Sequence, residues 1–144
     1  MMGSLRNPAG FNNVIGFRPT KGRVPSAGQD AALFFNQLAT DGPMGRNVTD
    51  TINLLTTMAG YDAREPLSLR DPLPRAGSFS PVPLTNELRI GFLGDYGGHL
   101  ETEQGLLDLC RGALRQLEKH SVVIEDCSPR FEPTRLWETW LTLR

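Results

Sequence analysis

Cysteine and histidine are scarce in this chain, with two of each in 144 residues, and neither a long apolar run nor an excess of one charge takes their place. Cys110 and Cys127 have no partner at metal-ligand spacing. That excludes a metal site built on cysteine and leaves them as small core residues in a reducing compartment. A Ser-His-Asp triad would have to use His99, in a glycine-rich loop, or His120, at a helix end; both read more simply as solvated positions. The formal net charge of −1 excludes a dedicated nucleic-acid surface, which needs a basic excess or stripe. No segment reaches membrane-spanning length, and the N-terminus lacks the charged-then-apolar pattern of a secretion signal. Together these absences point to a cytoplasmic chain with no membrane or nucleic-acid partner and no metal.

What is present is ordinary in bulk: 39% hydrophobic and 22% charged residues, in a length that suits one domain. Prolines punctuate it unevenly. Pro66, Pro72, Pro74, Pro81 and Pro83 fall in one stretch with Ser68, Gly77, Ser78 and Ser80. Proline fixes φ and removes a backbone donor, so neither a helix nor a central strand runs through there. The expected organisation is one domain over 1–144, with a first segment at 1–65, a proline-rich surface connection at 66–87 and a second segment at 88–144.

In the first segment, 14–17 and 23–25 read as extended, joined by the Pro19-Thr20-Lys21-Gly22 turn. Residues 33–38 fit helix and strand equally. Asn7-Pro8 and Asp41-Gly42-Pro43 predict turns. Asn47 predicts a helix start, with Asp50 three residues on, Val48, Ile52, Leu55 and Met58 on one face, and Gly60 as its terminator. In the second segment, 88–93 reads as a strand, 94–98 as a loop and 102–119 as a helix. Leu106, Cys110, Ala113, Leu114 and Leu117 share that helix's apolar side, and Glu101 and Glu103 stand at its positive end. A second strand at 122–125 follows, then a helix opened by Pro133 with Leu136, Trp137, Trp140 and Leu141 as its stripe. Strand, helix, strand, helix with short joints predicts a parallel pair and a right-handed crossover. The fold class is α/β.

Few residues suggest chemistry. Ser4 follows Gly3, a neighbour that lets backbone amides approach a substrate, but a serine needs a base and oxyanion donors, and the G-x-S-x-G elbow is missing. Gly91, Gly94, Gly97 and Gly98 fit neither dinucleotide nor P-loop spacing, and Glu101 and Glu103 would repel a phosphate. Trp137 and Trp140 read as core or buried-interface residues. Asn47-Val48-Thr49 is a sequon with no secretion signal to use it.

The order of several blocks is more specific. Gly3-Ser4-Leu5-Arg6 with Pro8-Ala9, then Gly16-Phe17-Arg18-Pro19-Thr20 with Gly22-Arg23-Val24, then Gly42-Pro43-Met44 with Arg46, Val48 and Asp50, run as in one known family. They resemble the Gly-Gly-Ser-Ile-Arg, Gly-Leu-Lys-Pro-Thr, Gly-Arg-Val and Gly-Pro-Met-Ala-Arg-x-Val-x-Asp segments of the amidase signature hydrolases. Leu88-Arg89-Ile90-Gly91 is similar to the strand opening that family's later half. The resemblance covers nearly the whole chain. It implies part of a three-layer α/β/α sandwich around a mixed sheet, and hydrolysis of a small carboxylic amide through an acyl-enzyme without metal or organic cofactor.

By the same resemblance Ser4 is the nucleophile, backbone amides around Met1, Met2 and Gly3 form the oxyanion hole, and Arg6 is a structural arginine paired with an acid. The family's base is a lysine reached through a bridging serine, and both precede the matched stretch, so an incomplete domain is expected. Lys21 lies in the wrong block to replace the base, and the last helix reaches Arg144 without a terminator. Met2 stands where a glycine is usual, and Phe11-Asn12-Asn13 replaces the common Phe-Cys-Gly. The isolated chain should then be inactive, and its partner a complementing N-terminal half or further copies in a homo-oligomer. Two other readings are a non-catalytic protein that pairs with another chain and the A-type component of a tRNA-dependent amidotransferase. The Asn12-Asn13 departure and the absence of a basic run lean against the latter.

Overall fold

The structure is a computed structural model that describes residues 3–26, 39–74, 76–80, 83, 88–128 and 130–143. The ambiguous 33–38 segment and the oxyanion candidates Met1 and Met2 lie outside the described residues. Two compact units divide the chain between Ser80 and Pro81.

In the first unit, helix α1 spans Arg6–Asn12. The expected turn at Asn7-Pro8 is instead the opening of this helix, because a proline in a first turn gives up only a donor that has no obligatory acceptor. α1 ends on Asn13 at φ 51°, ψ 49°, and the Val14 N–H closes back on the Ala9 carbonyl at 3.0 Å. Only glycine, and next asparagine, takes this left-handed position cheaply. Asn13 therefore supplies the left-handed terminator of α1.

Strand β1 (Ile15–Gly16) pairs antiparallel with β2 (Met44–Gly45), Ile15 facing Gly45 and Gly16 facing Met44. No strand forms at 23–25. Arg23 closes a turn on Thr20 instead, and its carbonyl takes the Gly60 N–H at 3.3 Å.

Helix α2 (Val48–Met58) starts where its cap predicts: the Asn47 side chain accepts from the Asp50 N–H at 2.8 Å. Its inward face is shifted, with Thr51 buried and Val48 63% exposed. Gly60 does not terminate it in a left-handed turn. The chain leaves through Ala59 in extended conformation, drawn off by the bond to the Arg23 carbonyl. The core here is thin and built of small residues: Ala9, Val24, Pro43 and Thr51.

The second unit has strands β3 (Arg89–Phe92) and β4 (Val123–Asp126) in parallel, Arg89 facing Val123 and Phe92 facing Asp126. Helix α3 (Leu106–Glu118) connects them and packs on β4. It begins four residues later than expected because Gly105 at φ 85° breaks the chain direction. Glu101 and Glu103 therefore precede the helix, and Asp108 is the acid in its first turn. Its half-buried side is Leu107, Cys110, Leu114 and Leu117, so Leu106 and Ala113 face outward. Cys127 is exposed rather than in a core, while Cys110 is half-buried. Helix α4 (Pro133–Leu143) opens on its proline as expected. Its Trp137 and Trp140 stack at 5.0 Å, but Trp137 is 58% exposed. No helix among the described residues is long and apolar enough to cross a membrane.

Candidate active site

Ser4 lies in the turn that feeds α1, and it is exposed. Gly3 before it has φ 77°, a conformation that makes the chain double back at low steric cost only for glycine. The Gly3 carbonyl accepts the Asn7 N–H at 2.8 Å and the Leu5 carbonyl accepts from Ala9 at 3.4 Å. The turn is thus welded to the helix behind it.

Two further elements hold it from below. A Cβ on Gly16 would collide with the Leu5 carbonyl and lie 2.9 Å from Ala9 Cβ. β1 can run under the serine turn only because that position is bare. Leu5 also reaches the Gly42 backbone beside β2: a Cβ there would lie 3.2 Å from Leu5 Cδ1. Residues from three separate family-like blocks therefore meet around one turn.

Arg6 is exposed at the start of α1, and its guanidinium folds back over Gly3: a Cβ on Gly3 would be 3.1 Å from an Arg6 terminal nitrogen. Among the described residues no carboxylate forms an ion pair with Arg6. Lys21 is engaged elsewhere, its Nζ donating to the Ala39 carbonyl at 3.0 Å. His99 and His120 are both exposed, in the 94–99 turn and just past α3 respectively. Among the described residues, no cluster of three or more His, Cys, Asp or Glu could hold a metal ion. What this arrangement offers is an exposed serine on a glycine-backed turn.

Two features escaped the sequence. The Arg23 side chain, 16% exposed, donates to both the Asp71 carbonyl at 2.6 Å and its carboxylate at 2.7 Å, which holds the Asp71 carboxyl below its ordinary range. Glu65 is 3% exposed, and both of its carboxylate oxygens are buried with no hydrogen-bond partner among the described residues. Neither follows a period: the first joins residues 48 apart, and the second is one acid in the charged run Asp62-Ala63-Arg64-Glu65.

A family model described as Amidase matches residues 2–141. The chain belongs to the amidase family. The A-type component of the glutamyl-tRNA(Gln) amidotransferase from Pseudomonas putida is 34% identical over 126 residues, which cover 88% of this chain and 25% of that protein. Its counterpart of the same name from Microcystis aeruginosa is 36% identical over 130 residues, covering 90% of this chain and 26% of its own length. A bacterial aryl acylamidase of the amidase signature enzymes superposes with a TM-score of 0.80 at 26% identity, over 96% of this chain and 28% of that one. The chain thus spans about a quarter of the length of these amidase relatives and carries an α/β part of their fold.

Proposed function

We propose that this chain is the nucleophile-bearing part of an amide hydrolase, with Ser4 Oγ attacking the carbonyl carbon of a small carboxylic amide. The C–N bond breaks, the amine departs with a proton, and an acyl-serine ester remains. Water then hydrolyses the ester to a carboxylic acid and restores the hydroxyl. The observation that carries this reading is the exposed Ser4 on a turn braced by Gly16 and Gly42, within the stretch that matches the family.

A serine hydroxyl is a poor nucleophile until a base takes its proton. Lys21 is bound to the Ala39 carbonyl. We therefore assign the lysine base and its bridging serine to segments outside these 144 residues, supplied by a complementing N-terminal half. The backbone N–H groups of Met1, Met2 and Gly3 are assigned to the developing oxyanion, and Arg6, folded over Gly3, supports that loop. The scheme uses no metal or organic cofactor and is placed in the cytoplasm, where Cys110 and Cys127 remain free thiols.

A serine-directed fluorophosphonate tests this. It should label Ser4 when the remainder of the fold is supplied and fail on Ser4→Ala. Strong labelling of the purified 144-residue chain alone overturns the assignment of the base. A second reading, the A-type component of a tRNA-dependent amidotransferase, is favoured by the identity to the Pseudomonas putida and Microcystis aeruginosa proteins. Release of ammonia from glutamine, rather than of an arylamine from an anilide, by the complemented protein would select it.

A further inference from the structure

The first unit contains a cavity of about 430 Å³ between the C-terminal end of α2 and residues 69–74, within the size range of small-molecule sites. None of the residues assigned to amide hydrolysis lines it. Its two cations differ in what they have left to give. Arg23 is spent on Asp71, and the pair cancels in charge. The Arg70 guanidinium lies over Tyr61, its carbon 4.3 Å from the ring centroid, and one terminal nitrogen donates to the phenolic oxygen at 2.8 Å. Among the described residues no carboxylate pairs with Arg70. A guanidinium has five N–H donors, so the two contacts to Tyr61 position it and leave most of its donors unspent. The remaining lining includes Leu73 and Pro74, which are apolar.

A single uncompensated positive charge with a fixed donor edge, beside apolar walls, suits one kind of ligand. We propose that this cavity binds a small organic monocarboxylate: the carboxylate pairs with the Arg70 edge, and the apolar body lies against Leu73 and Pro74. A phosphate dianion would need a second free cation, and Asp71 has already taken Arg23.

The test is a titration of the full, ¹⁵N-labelled chain with sodium benzoate, followed at the backbone amides of Gly60, Tyr61, Leu69 and Arg70. Benzamide and inorganic phosphate are run in parallel. Saturable benzoate shifts confined to these amides are expected, with benzamide at least about tenfold weaker because it lacks the charge. Arg70 is exposed, so Arg70→Gln tests the donor without disturbing the core; it should weaken benzoate about tenfold or more. Arg70→Lys keeps the charge but not the planar fork, and should fall between the two. Equal binding of benzoate and benzamide, saturable phosphate binding at the same amides, or unchanged affinity in Arg70→Gln would overturn the proposal. Labelling of Ser4 reads the hydrolase assignment separately, so either can fail without the other.

Discussion

Gly16 and Gly10 are both glycines in the Ser4 region, yet they carry opposite expectations. A methyl group at Gly16 meets the Leu5 backbone, whereas one at Gly10 meets nothing within 4 Å. Gly16→Ala should cost about 1–3 kcal/mol in denaturant unfolding and displace the serine turn, lowering fluorophosphonate labelling in the complemented protein. Gly10→Ala, within α1, should be neutral or stabilising by up to about 1 kcal/mol. Glu65 offers a different test. A buried carboxylate without a partner costs free energy that an apolar side chain of similar size does not, so Glu65→Met should stabilise the chain by about 1–3 kcal/mol. Asp62 is a separate case. Hydrogen bonds from the Arg64 side chain and then its backbone N–H hold the Asp62 carboxyl at about 2, below its ordinary 3.8. Since the folded value is the lower one, this pair's contribution is complete above about pH 4 and fades as pH falls through 2. A carboxyl-carbon NMR titration should place the Asp62 midpoint near 2; a midpoint near 3.8 would mean that the Arg64 bonds do not persist in solution.

At the level of elements, the best-forecast features are those with a local cause. α2 begins at Asn47 because one side-chain oxygen meets one orphan N–H, and Asn47→Ala should cost about 1 kcal/mol in thermal or denaturant unfolding. α4 starts at its proline, and the β3–β4 pair is parallel because a helix joins them. The misses share a different cause. α3 starts at Leu106, where its apolar side also begins, rather than at 102, because Gly105 turns left-handed; α2 ends without a left-handed glycine because a backbone bond to Arg23 captures Gly60. Period alone carries no information on such captures. Ser4 was visible as a block of residues, but its support was not: the backing by Gly16 and Gly42 exists only once β1 and β2 pair.

For the whole molecule, side chains that a finished core would cover stand in solvent. Phe11 on α1 is 92% exposed and Leu109 on α3 is 73% exposed, alongside Trp137 on α4. β3 and β4 form a sheet of only two strands, with no further strand bonded to either edge among the described residues. Unpaired edges and apolar patches of this kind promote association. The purified chain should bind a hydrophobic dye and sediment as more than a monomer, and adding the complementing half should suppress both. Catalysis should follow the same dependence. Loss of a nucleophile or its base costs a serine hydrolase on the order of a millionfold, so the chain alone should turn over amides barely above background in an amine-release assay.

The arginine–aspartate clasp has one more consequence, in time rather than in space. The contacts that brace the serine turn, the pairing of β1 with β2 included, lie at or before residue 45, whereas the Asp71 acceptors of the Arg23 side chain are made later. On a ribosome, which releases the amino end first, the seat of the serine turn can form from nearby sequence while the cavity at residues 69–74 still lacks a wall.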